Sequence, residues 1–163
     1  MRPFPSYPRC PVCGDPRRNP LALGVRWWWD ESRREVTGEF VPGPDHTGYR
    51  DLLHGGILAS LLDECLAWAC AAERATYFVT GELRLRYLAA APLGRALRIT
   101  GRAATARGPY VRAEGEARLD DGAVVASAVG SFAAMPREHA LELRKELELG
   151  PDDFDVLGER PAY

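Results

Sequence analysis

Between Ile57 and Ala72 sixteen residues pass with only three polar side chains, Ser60, Asp63 and Glu64. A surface helix shows a charged face along its length, so this run, Ile57–Ala72 within the stretch His54–Glu73, predicts one buried helix. At about 100° per residue, Asp63 and Glu64 flank Ser60 on one narrow stripe of an otherwise apolar rod. A carboxylate withdrawn from water without a partner is costly. A purely structural core therefore has little reason to hold two. The stripe lines a subunit interface, finds an arginine, or performs chemistry.

Elsewhere the pattern has period two. Val25, Trp27 and Trp29 face one way, and after a polar turn at 31–33 Val36 and Phe40 resume the alternation, which predicts a hairpin. Alternation sends Trp28 to the opposite face from its neighbours, so the three tryptophans do not form one aromatic platform. Residues 41–53 read as a loop, with His46 on its surface. After the helix four strands are expected. In the first, Tyr77, Val79, Leu83, Leu85 and Tyr87 alternate with a polar face of Thr80, Glu82, Arg84 and Arg86. The next two run from Leu97 and from Val111, and the last, 123–135, is built of small residues. Turn signals fall at 91–94, at 107–109 and at Asp121-Gly122. A short charged helix over 138–149 is stopped by Gly150-Pro151 and followed by an acidic, mobile tail. The first twenty residues hold six of the 13 prolines and no hydrophobic period, and read as an extended arm lying over the domain, outside its core.

The division is thus an arm (1–20), a domain (21–135), and a short helix with its tail (136–163). Hairpin, long helix and a four-strand antiparallel meander make an α+β fold. The apolar side of the sheet is expected to wrap around one central helix. A helix this apolar needs cover from more than one side, so a homodimer is expected.

A chain of 163 residues is long enough for one domain with a real core. Its net charge of −2, with both signs interspersed, argues against a nucleic-acid partner. The apolar run is too short and too acidic to span a bilayer, and no secretory signal is visible. A cytoplasmic protein with no membrane partner is expected. Cys10 and Cys13 form C-P-V-C-G, half of a zinc site. Cys65 and Cys70 lie five apart inside the helix, the wrong spacing for a second half, and His46 stands alone. The default expectation is no metal and no cofactor, with a free or redox-labile pair at 10 and 13.

Before the helix come His54, Gly55 and Gly56. A glycine pair allows close approach of the backbone, and the free N–H groups of a helix start favour an anion or a carbonyl oxygen gaining negative charge. With a carboxylate nine residues after His54, this becomes a constellation. No G-x-S-x-G elbow and no nucleotide-binding glycine fingerprint is present.

The stretches Leu53–Glu64, Val79–Leu88, Ala91–Gly94 and Asp121–Phe132 resemble the hotdog-fold acyl-CoA thioesterases, in the branch of the phenylacetyl-CoA and 4-hydroxybenzoyl-CoA enzymes. The resemblance implies hydrolysis of an acyl-CoA or aryl-CoA thioester. Asp63 falls at the catalytic carboxylate, as general base or nucleophile, with Glu64 its local rival. Gly55 falls where a backbone N–H polarises the thioester carbonyl, Gly56 stands beside it, and His54 shapes the turn. Thr80 falls where some relatives place a Ser or Thr contributed by the neighbouring subunit. Arg84 departs from the small polar residue frequent there, which bears on substrate preference. Arg95, Arg102 and Arg107 lie near strand ends, within the class of residues that meet coenzyme phosphates or merely face solvent. The family also implies dimers, pairing into tetramers. The alternative on the same fold is a non-catalytic acyl-CoA-binding protein. The enzymatic reading requires Asp63 and the start of the helix to face one cleft.

Overall fold

His54 sets where the central helix begins. Its backbone is extended (φ −63°, ψ 128°), and its Nδ1 accepts the Gly56 N–H at 2.9 Å, satisfying one of the orphan donors of α1 (Gly55–Arg74). The computed structural model describes residues 1–158. Around α1 the chain lays down β1 (Arg2–Pro3), β2 (Trp27–Asp30), β3 (Glu35–Phe40), a 3-10 turn (Pro44–His46), β4 (Thr47–Tyr49) and β5 (Leu52–Leu53). After it come β6 (Phe78–Tyr87), β7 (Leu97–Arg107), β8 (Tyr110–Leu119), β9 (Val124–Ala134) and α2 (Arg137–Glu146).

Seven strands form one antiparallel sheet in the order β1-β2-β3-β7-β8-β9-β6, wrapped against α1 as expected. Leu58, Leu61, Leu62, Cys65, Leu66 and Ala69 of the helix are buried against Val36, Ile99, Ala113, Ala117 and Phe132 of the sheet. The strands after the helix are not one meander, however. β7, β8 and β9 are consecutive, whereas β6 pairs only with β9 at the far edge, and β7 joins β3. By taking opposite sides, β3 and β6 leave α1 lying across the middle of the sheet, where both flanks cover it.

Close approach of helix to sheet depends on two facing glycines. Gly101 and Gly115 are register partners in β7 and β8. A Cβ at Gly101 would lie 2.8 Å from Leu66 Cδ2, and one at Gly115 would lie 2.9 Å from the same atom and 2.3 Å from the Thr100 carbonyl oxygen. That oxygen belongs to the backbone and cannot step aside. Gly115→Ala is therefore expected to cost about 1–3 kcal/mol, as overpacking does. Urea unfolding checks it, and an unchanged midpoint would contradict the packing described.

Three expectations need correction. The proline-rich arm belongs to the core: β1 pairs with β2, Phe4 is 1% exposed, and Val12 and Cys13 are buried. The prolines only remove the periodicity by which its apolar residues would have been recognised. The tail is likewise anchored through residue 158, since Phe154 and Val156 are buried and Phe154 packs edge-on against Phe4. Residues 41–53 are not simply a loop, for β4 and β5 pair as a small hairpin, and His46 is half-buried beside Phe40.

Arg144 clamps the Asp155 carboxylate with both Nε and Nη2, at 2.9 and 2.6 Å, tying α2 to the tail. This bond, and then the Arg144 charge, lower the Asp155 pKa. A depressed carboxylate stabilises the fold above its ordinary pKa, near 3.9, and loses that contribution as pH falls through the lower native value. The pair is partly exposed to solvent, so Asp155→Asn should cost no more than about 1 kcal/mol at pH 7. That difference should shrink as pH falls below about 3.9 in paired denaturation curves.

By length and composition α1 could cross a membrane, with mean hydropathy 1.3 over its best window, but half of that window is buried inside the fold. It is the core helix.

Candidate active site

Thr80 reaches the helix because β6 is irregular. Strict alternation puts Thr80 on the polar face with Glu82, yet the β6–β9 register shifts between these two residues. Thr80 pairs with the buried Phe132, Glu82 with Ser131, and Leu83 with Gly130. The bulge at Gly81 thus turns Thr80 to the helix side, with Leu83, Leu85 and Tyr87, and turns Val79 outward to 50% exposure. A lone glycine inside a strand pattern was the available signal.

On that side the Thr80 hydroxyl donates to Asp63 Oδ1 at 2.8 Å, within one chain. The resemblance implies a Ser or Thr contributed by the neighbouring subunit; here Thr80 bonds Asp63 of its own chain. Asp63 is half-buried and has no arginine or lysine paired with it among the described residues. Along the same strand the Tyr87 hydroxyl donates to the Gly55 carbonyl at 2.9 Å, a contact with no signal beyond period two.

Gly55 itself keeps a free donor. His54 accepts the N–H groups of Gly56, Ile57 and Leu58 through its side chain and its carbonyl. The Gly55 N–H has no acceptor among the described residues. It carries the partial positive charge of a helix start.

Eight residues separate Gly55 from Asp63, or about 12 Å along a helix at roughly 1.5 Å per residue. A general base and an oxyanion donor must each lie within about 3 Å of the reacting groups. One chain therefore does not bring both to one thioester.

Glu64 points elsewhere, under the N-terminal arm. Its Oε1 accepts the indole N–H of Trp27 at 3.1 Å and of Trp68 at 3.3 Å, and its Oε2 is hydrogen-bonded to Cys10 Sγ at 2.8 Å. Burial, aided by the neighbouring sulfur, pushes the Glu64 pKa up to about 8. Cys10 is lowered to about 5, chiefly by the Cys13 thiol and also by Glu64 and the Val12 and Cys13 amides. Cys13 is raised in turn by the Cys10 sulfur and by burial. The two carboxylates thus point in different directions, and only Asp63 lies on the face with Gly56 and Ser60, which are exposed.

Several candidate phosphate ligands are already engaged. Arg95 pairs with Asp120 and Asp121, Arg102 with Glu114 at 2.9 Å, and Arg84 with Glu82 at 2.6 Å. Arg107 is exposed at the end of β7, with no ion pair among the described residues. Its row across the sheet runs through Tyr110 and Ala133 to Val79, beside Thr80.

A sheet wrapped on one helix, with a threonine-held carboxylate on that helix and a free N–H at its start, defines a hotdog-fold protein. Residues 51–126 match the model of the thioesterase superfamily. A crystal structure of a thioesterase superfamily protein from Shewanella loihica PV-4 is 30% identical at TM-score 0.58, over 69% of this chain and 92% of that one. The chain belongs to the thioesterase superfamily. Another solved member of that superfamily matches at TM-score 0.67 and 29% identity, over 77% of this chain and 63% of its own. A Streptococcus mutans protein bound to acetyl-CoA shares the fold at TM-score 0.58 and 20% identity, over 62% of this chain and 81% of that one. An uncharacterized mitochondrial membrane protein of Saccharomyces cerevisiae is 34% identical over 64 residues, 39% of this chain. The match spans only 26% of that yeast protein.

Proposed function

We propose that the protein hydrolyses an acyl-CoA or aryl-CoA thioester to the free acid and CoA. The observation that carries this reading is Asp63, held by Thr80 on an uncovered helix face with no cationic partner among the described residues. Superfamily membership supports it, as does the acetyl-CoA bound to a protein of the same fold.

In this reading Asp63 takes a proton from water as the water adds to the carbonyl carbon, or attacks that carbon itself. The oxygen gains negative charge against the Gly55 N–H. Collapse expels the CoA thiolate, a weak base that needs no strong acid. Of the three strand-end arginines, Arg107 alone has no ion pair among the described residues and is the one left to meet a coenzyme phosphate.

The 12 Å gap implies a homodimer. The outer edge of β6 is unpaired, and the helix face of Gly56, Ser60 and Asp63 is uncovered. A second copy related by a twofold axis beside β6 runs its helix antiparallel, so that Gly55 of each chain approaches Asp63 of the other. Pairing of dimers into tetramers remains part of the proposal.

The test is release of free thiol from short, medium, long and aryl acyl-CoAs, together with light scattering for the dimer. Hydrolysis of at least one class by a dimer is expected. Tight acyl-CoA binding without turnover on any class would instead make the protein a binding module.

A further inference from the structure

The fold joins two parts of the chain that the hydrolytic reading leaves unused. Cys10, Cys13 and Glu64 each offer a ligand atom, and these atoms lie within 4.8 Å of one another. The knuckle is tightly made. The Val12 and Cys13 amides donate to Cys10 Sγ at 3.2 and 3.4 Å, and the Gly14 amide donates to the Cys10 carbonyl at 3.1 Å. A Cβ at Gly14 would lie 2.4 Å from that carbonyl oxygen, so the turn requires glycine. Amides aimed at a sulfur favour its thiolate form, the form that binds metals.

The carboxylate is equally prepared. Two indole N–H groups hold Glu64 Oε1, which orients Oε2 toward the sulfurs as an outer shell orients a metal ligand. The pocket beside this trio, about 160 Å³, is lined by Tyr7, Trp68, Tyr77, Phe78 and Leu143 and by no basic side chain. Tyr77, on the same wall, carries a buried hydroxyl without a hydrogen-bond partner among the described residues. Three acidic donors thus converge in an apolar setting that supplies no cation of its own.

We propose that Cys10 Sγ, Cys13 Sγ and Glu64 Oε2 bind a single divalent transition-metal ion, with Zn²⁺ the best chemical match. Two thiolates and a carboxylate suit a borderline-soft ion. With Zn–S near 2.3 Å and Zn–O near 2.0 Å, a tetrahedral site places its ligand atoms about 3.5–3.8 Å apart. The three donors reach this spacing by small side-chain adjustments. Three protein ligands leave a fourth position for water, on the pocket side. The ion staples the N-terminal arm to the middle of α1, and thereby holds Trp27 and Trp68 in place.

The test uses the full-length protein, reduced and stripped with a chelator, and reads metal rather than hydrolysis. Elemental analysis after dialysis against Zn²⁺ is expected to find one ion per chain. Co²⁺ should give a thiolate-to-metal absorption band and quench Trp27 and Trp68 fluorescence, which needs no variant. Cys10→Ser and Cys13→Ser should weaken Zn²⁺ binding by at least about 100-fold, and Glu64→Gln by at least about 10-fold, since even outer-shell changes cost 10–100-fold. Circular dichroism of the metal-free variants shows whether they fold. Failure of the folded, reduced wild type to take up Zn²⁺ would overturn the proposal. So would uptake indifferent to either cysteine or to Glu64, or a protein that forms only a Cys10–Cys13 disulfide and stays metal-free after reduction.

Discussion

Asp63→Asn is expected to lower kcat for thioester hydrolysis by about 10³-fold or more, with KM changed far less. General-base catalysis contributes about 10²–10⁴, and loss of a nucleophile would be at least as severe. The amide keeps the shape of the side chain and can still accept the Thr80 hydroxyl bond, so folding should be untouched. What disappears is the capacity to take a proton or to attack. A loss in kcat without a matching rise in KM marks an interaction made mainly in the transition state. Glu64→Gln is the comparison, because Glu64 lies under the arm against Trp27 and Trp68. It should stay within about threefold of wild type, as expected for a group that does not contact the reacting atoms. Equal activity of wild type and Asp63→Asn would end the hydrolytic assignment.

Gly55→Pro should reduce kcat by about 10²–10³-fold, the usual effect of removing one oxyanion donor. Proline is favoured at the first position of a helix, where its missing N–H has no intrahelical partner. The preceding His54 already has the extended backbone that proline demands. A Cβ at Gly55 would meet Tyr87 at 3.4 Å, an ordinary contact. The substitution therefore removes one hydrogen-bond donor and little else. Mixing this variant with Asp63→Asn tests whether the site is shared. Random reassortment makes half of the dimers mixed, each with one site of wild-type residues, so activity should recover to about a quarter of wild type. No recovery after verified subunit exchange would place both groups of each site in a single chain, against the 12 Å spacing.

The central helix was legible because sixteen nearly uninterrupted apolar residues admit few other structures, and the strands because period two persists across each. The place of β6 was not legible. Alternation reports which face of a strand is apolar and says nothing about which strand lies beside it. Thr80 was assigned to the wrong face for a local reason, since one extra residue at Gly81 inverts everything before it in the strand. The acidic stripe singled out Asp63 and Glu64 together, but about 100° of helix rotation sends them to different partners. Two partners of Glu64, Cys10 and Trp27, lie at separations where sequence alone gives no contact, and only Trp68 is one helical turn away. The Gly55–Asp63 pair was recognised as residue types, whereas the helix pitch that sets them about 12 Å apart was not weighed.

Phe4 stacks on Trp68 at 4.6 Å and meets Phe154 edge-on at 5.5 Å, while the Phe154 amide donates to the Pro3 carbonyl at 2.7 Å. During synthesis, then, Phe4 leaves the ribosome long before Phe154 does. Until about 150 further residues have been translated, Phe4 has Trp68 at most, and its aromatic nest stays open on one side. The arm therefore closes only once Phe154 has been made, which places completion of this corner among the later steps of folding.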